Sequence, residues 1–145
     1  MVSSNNLSMQ GVTVTPKFVF GVNGEIKDCL HIVEEKKLIY VAGHNIIIYN
    51  TDEQTQYFIP GSPNSDAINY ITISATQKYL AICERGSEHA LCTIYDIVHR
   101  KKKKTIPDEE VMEVIPYQAK EFLNCAFSVK NERQQLVTLC GEPDW

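Results

Sequence analysis

Five consecutive basic residues, Arg100-Lys101-Lys102-Lys103-Lys104, form the most conspicuous chemistry-bearing run in the sequence. Five cations in a row attract an acidic surface over a long range and in a salt-dependent way. A glutamate-rich protein surface fits that description. The same run, read plainly, is a solvated and self-repelling loop that keeps an edge soluble. It is also compatible with RNA or a nuclear-import signal, but it lacks the interleaved aromatics of a single-strand binding platform. The run carries five of the 14 basic residues in a chain with 18 acidic ones and a net charge of −4. That overall acidity argues against a nucleic-acid binder.

Other candidate chemistry is weaker. Cys83-x5-His89-x2-Cys92 offers three metal donors, yet zinc needs a fourth ligand and a closed shell, and none is evident in the sequence. No metal or cofactor is therefore expected. The five cysteines, Cys29, Cys83, Cys92, Cys125 and Cys140, are odd in number and include no C-x-x-C pair. They read as reduced thiols on apolar strands, with Cys83 and Cys92 flanking a hairpin and facing each other or the core. Gly21-Val22-Asn23-Gly24 lacks the G-x-G-x-x-G pattern and reads as a turn. His44-Asn45 reads as another. Ser74 and Ser128 lie outside any G-x-S-x-G, so no nucleophilic triad assembles. Glu34-Glu35 and Glu109-Glu110 fall in turns beside Lys or Pro and read as surface charge. An enzyme is not expected.

The elements that must position these residues are short β-runs. They are Lys17–Phe20, Leu30–Val33, Leu38–Ala42, Ile46–Tyr49, Ile68–Ser74, Tyr79–Cys83, Leu91–Ile97, Asn124–Ser128 and Leu136–Cys140. Each is rich in β-branched and aromatic residues and bounded by turn formers. No segment holds a 3.6-residue apolar period, and Asp108–Tyr117, bracketed by prolines, reads as a loop with at most one helical turn. An all-β protein of antiparallel strands follows. With 43% hydrophobic and 22% charged residues, disorder throughout is not expected. No apolar run is long enough for a membrane-spanning helix, and the polar N-terminus lacks the basic start of a secretory signal, so a cytosolic chain is expected.

The runs repeat. Tyr79–Cys83 lies on Leu38–Ala42, and Thr93-Ile94-Tyr95-Asp96 lies on Ile47-Ile48-Tyr49-Asn50. A third copy places Cys125–Ser128 on Ile71–Ser74 and Gln135–Leu139 on Tyr79–Cys83. Repeats of about 40 to 45 residues with four strands mark a WD-type propeller blade. Tyr49-Asn50 and Tyr95-Asp96 stand where the Trp-Asp dipeptide of such blades stands. The aromatic is expected between blades, and the Asn or Asp is expected to hold the next turn by accepting backbone N–H bonds. The predicted fold class is all-β, an incomplete WD40-type β-propeller of about three four-stranded blades with the last truncated. A polar segment 1–16 precedes repeats at about 26–62, 68–106 and 122–145.

The runs Leu38 to Asn50 and Gln56-Tyr57-Phe58-Ile59-Pro60-Gly61, with Tyr79–Ile82 and Ile94-Tyr95-Asp96, resemble the cilia- and flagella-associated protein 57 family. Val19-Phe20-Gly21 and Gly141-Glu142-Pro143-Asp144-Trp145 fit it too, so the resemblance covers about residues 17–145. Gly43-His44-Asn45 and Phe58–Gly61 are its discriminating pieces. The resemblance implies a non-enzymatic scaffold of the ciliary axoneme on doublet microtubules, helping to place inner dynein arms. It implies protein partners, with no nucleic acid and no membrane. The family's coiled coil has no counterpart here, since sustained heptads are absent. The repeat alone is also compatible with a general WD-type adaptor in a cytosolic complex. A seven-bladed ring needs roughly 300 residues, so these 145 residues are expected to be part of a longer protein or to need a partner.

Overall fold

Alternation of apolar side chains along short strands builds three antiparallel sheets, seen in a computed structural model that describes residues 15–107 and 119–141. The first sheet runs β1 (Leu30–Val33), β2 (Lys37–Ala42), β3 (Asn45–Asn50) and β4 (Thr55–Pro60), each strand beside the next. The second repeats the plan with β5 (Ser65–Ile73), β6 (Tyr79–Gly86), β7 (Leu91–Asp96) and β8 (Lys101–Ile106). The third is a hairpin of β9 (Phe122–Phe127) and β10 (Leu136–Cys140). No helix occurs among the described residues. The loop expected at Asp108–Tyr117, most of the polar N-terminal segment and the closing Glu142–Trp145 lie outside them.

The sheets stack face to face, and β6 shows why. Period-two alternation sends Leu80 and Ile82 to one side and Ala81 and Cys83 to the other. Leu80 and Ile82 join Ile39, Val41, Ile46, Ile48 and Ile59 of the first sheet in one core. Ala81 and Cys83 join Phe122 and Cys125 of the hairpin in a second. The middle sheet is thus buried on both faces, which explains the near-continuous apolar reading of β6 and β7. Glu132, in the β9–β10 turn, accepts hydrogen bonds from the Thr76 backbone N–H and hydroxyl, joining that turn to the β5–β6 turn.

Three expectations about strands change. Lys17–Phe20 is extended but is not a strand. Its Val19 N–H and C=O bond instead to the side-chain amide of Gln56 at 2.8 and 3.0 Å, so a side chain takes the place of a partner strand. The basic run, placed by sequence in a loop or at an outer strand end, is itself a strand for Lys101–Lys104, hydrogen-bonded to β7. Tertiary pairing overrides the weak β-propensity of lysine there. The β2–β3 turn is Gly43-His44, not His44-Asn45, because Ala42 pairs with Asn45 across a two-residue loop. Gly43 takes φ +58°, which suits glycine at the first loop position.

Removing side-chain volume at the first seam tests this stacking. Leu80 is fully buried there, and Leu80→Ala is expected to cost about 2–5 kcal/mol in urea unfolding. Val137→Ala, on the open face of β10 at 72% exposure, is expected to stay within about 0.5 kcal/mol.

Candidate functional site

The repeat positions fall at equivalent corners of the sheets. Asn50, closing β3, accepts the Asp52 and Glu53 backbone N–H groups at 3.0 and 3.2 Å. Asp96, closing β7, accepts the His99 backbone N–H at 2.8 Å. His99 Nδ1 lies 3.0 Å from both Asp96 oxygens, and Lys103 Nζ lies 3.4 Å from one. The Asp96 carboxyl is accordingly pulled down to about 2, chiefly by the His99 backbone N–H and then, against the opposing effect of burial, by the His99 and Lys103 side chains. Ser74 Oγ accepts the Tyr79 N–H at 3.1 Å and Ser128 Oγ the Asn131 N–H at 3.2 Å, each fixing the turn after its strand. Tyr95 is buried, and its hydroxyl meets that of Tyr57 across the first seam at 3.0 Å. Burial and then that hydrogen bond raise its pKa. Tyr49 is only half-buried and meets Phe18 edge-on.

The five-cation run is divided by the fold. Arg100 sits in the turn before β8 with φ 52°, and its guanidinium lies 5.0 Å from the centre of the Tyr57 ring. That places it on the first sheet as a cation–π contact. Lys103 pairs with Asp96. Lys102, Lys103 and Lys104 flank an open groove of about 1210 Å³, whose other wall includes Ser62, Asn64, Asp66, Glu88 and His89. β8 is the outermost strand of its sheet, and its four lysines are exposed. The run is therefore a basic sheet edge with one cation turned inward to a neighbouring sheet.

The residues that sequence reasoning passed over are His44, Ser62, Ser65 and Glu84. Glu84 is 1% exposed, near the end of β6. Its carboxylate accepts the Ser62 N–H at 2.7 Å, the Ser62 hydroxyl at 2.6 Å and the Ser65 hydroxyl at 2.8 Å. His44 Nε2 shares a hydrogen bond with Ser65 Oγ at 2.7 Å and lies 3.7 Å from Glu84. Hydroxyl, imidazole and carboxylate meet here, but not in relay order. Ser65 and Glu84 address the same imidazole nitrogen, whereas a relay needs the carboxylate on the other one. The cluster is a polar tie between the first sheet's hairpin and the second sheet. Gly61 makes it possible, since a Cβ there would lie 2.3 Å from His44 Nε2. A single acid directly after the apolar run Leu80-Ala81-Ile82-Cys83 was the available signal.

Among the cysteines, Cys83 and Cys92 face each other across β6 and β7, with sulfurs 3.9 Å apart. The third donor the structure brings to them is Cys125 of β9, not His89.

Two substitutions test these ties. Folding lowers the Asp96 pKa, so the native state keeps the carboxylate ionised to about pH 2, while the unfolded chain protonates near 3.8. The stabilisation it gives is full above pH 4 and is lost as the pH falls toward 2. Asp96→Asn is expected to keep the turn, as Asn50 does, and to flatten that part of the acid-unfolding curve. Glu84→Ala strands the Ser62 and Ser65 donors and is expected to cost about 3 kcal/mol in chemical unfolding.

No family model matches the chain. It is 29% identical over 136 residues to cilia- and flagella-associated protein 57 of Mus musculus, covering 94% of this chain and 10% of that protein. It is 25% identical over 121 residues to cilia- and flagella-associated protein 57 C of Tetrahymena thermophila, covering 83% and 9%. The chain thus spans about a tenth of the length of these curated relatives. In fold it is similar to a chain in a crystal structure of the mitotic checkpoint complex, with TM-score 0.50 and 17% identity over 83% of this chain and 37% of that one. Among the described residues the architecture is an all-β, WD40-type arrangement of two four-stranded blades followed by a two-stranded hairpin. In sequence the chain is similar to proteins named cilia- and flagella-associated protein 57, and in fold it is similar to a β-sheet chain of the mitotic checkpoint complex.

Proposed function

We propose that this chain is part of a non-enzymatic structural scaffold of the ciliary or flagellar axoneme. Its blades hold protein partners at the doublet microtubule, near the inner dynein arms, and so serve motility. The observation that carries this reading is the likeness, over nearly the whole chain, to proteins named for cilia and flagella. One surface supports a role within a larger assembly. The basic edge of blade two presents Lys101 and Lys102 to an acidic partner, for which the acidic tails of tubulin are the candidate.

The test is co-sedimentation of the full chain with microtubules. Lys101→Ala and Lys102→Ala are combined, leaving Lys103 on Asp96. Two exposed cations at about 0.5 kcal/mol each predict roughly fivefold weaker binding. Raised salt should produce the same loss in the unaltered chain. Binding indifferent to both changes rejects the acidic-partner contact. A tagged chain that fails to join axonemes in ciliated cells rejects the axonemal reading.

A further inference from the structure

Three of the five cysteines converge between blade two and the third hairpin. Cys83 and Cys92 stand opposite each other in β6 and β7, and Cys125 arrives from β9. Their three sulfurs lie within 4.8 Å of one another. Cys83 and Cys92 are fully buried and Cys125 is 3% exposed. Ala81, Ala90 and Phe122 pack around them. Thiols serve well as small apolar fillers. Three converging sulfurs have a further property. With metal–sulfur bonds of about 2.3 Å, the sulfurs of a trigonal site stand about 4.0 Å apart and those of a tetrahedral site about 3.8 Å. The Cys83–Cys92 separation of 3.9 Å matches such an edge.

We propose that Cys83, Cys92 and Cys125 form a trigonal sulfur site for a soft monovalent cation, copper(I), that staples β9 to blade two. Softness and ligand number decide the metal. Thiolate sulfur selects copper(I) and zinc among the common ions. Zinc takes four ligands, and among the described residues the converging set holds three. Cys140 packs at the border of the same cluster but outside that set.

The three sulfurs are mutually in contact and buried, so a soft cation would meet them together. Each thiol that ligates gives its proton to solvent. Copper enters and stays as copper(I), so no electron is exchanged. Because the ligands come from two sheets, binding couples the docking of the third hairpin to the metal.

The test titrates the reduced full chain with copper(I) under oxygen-free conditions, against a copper(I) chelator of known affinity. One equivalent is expected to be retained, with X-ray absorption showing three sulfur neighbours and no nitrogen or oxygen. Cys125→Ser is expected to weaken retention by more than about tenfold. Cys29→Ser and Cys140→Ser should leave it unchanged. Because Cys125→Ser can also loosen the hairpin, the unaltered chain gives a second reading. Its thermal midpoint should rise with one equivalent of copper(I) and not with zinc(II). No stoichiometric retention, retention unaffected by Cys125→Ser, dependence on Cys140, or a preference for zinc(II) would each overturn the site.

Discussion

The inner strands of blade two are covered on both faces, and the other two sheets are placed by that fact. A strand with one buried face needs alternation, whereas β6 and β7 need apolar residues at successive positions. The two faces differ in size. The Leu80 and Ile82 side is built from large aliphatics meeting Ile39, Val41 and Ile59. The Ala81 and Cys83 side is small and admits the Phe122 ring beside three sulfurs. A one-residue slip of β6 would put large residues in the narrow seam and small ones in the wide seam. Register is therefore set by volume as well as by polarity.

Polar groups are handled in the same local way at the blade corners. Asn50 and Asp96 occupy equivalent positions, and each side chain collects backbone N–H groups two or three residues on. Their difference lies in charge. Asp96 also gathers His99 and Lys103, so the second blade anchors its basic edge strand to its own corner. Glu84 does a different job, since its donors come from the linker between blades and from β5. Among the described residues no buried side-chain nitrogen or oxygen lacks a partner. A buried carboxylate is tolerable under that condition, because unpaired it would cost several kcal/mol.

The sequence made the blade interiors legible because their signal is periodic. β1 and β10 appear at their sequence-read bounds, and the other inner strands within a few residues. β8 was hidden because its evidence is the strand beside it. Lysines carry little strand preference, and only pairing with β7 makes them one. The opposite error at Lys17–Phe20 has the same root. Its residues favour a strand, but Gln56 meets its backbone. The basic run was visible as charge but not as separate roles, since Arg100 is drawn to Tyr57 from a blade some forty residues earlier. The Cys125 contact to Cys83 and Cys92 was equally beyond reach of spacing, because three strands must fold before the sulfurs meet.

Blade stacking also explains why the chemistry lies in the seams. A four-stranded meander satisfies its backbone within itself, leaving only faces and edges to join neighbours. The first seam is closed by aliphatics and carries polar ties near its ends, Tyr57 to Tyr95 and His44 to Ser65 and Glu84. The second seam is built from smaller side chains, Ala81, Cys83, Ala90 and Cys92, around the Phe122 ring. Sulfur is the one side-chain atom that packs there as a hydrophobe and still has coordination chemistry to offer. The small side chains of that seam are thus what lets three sulfurs from two sheets come together.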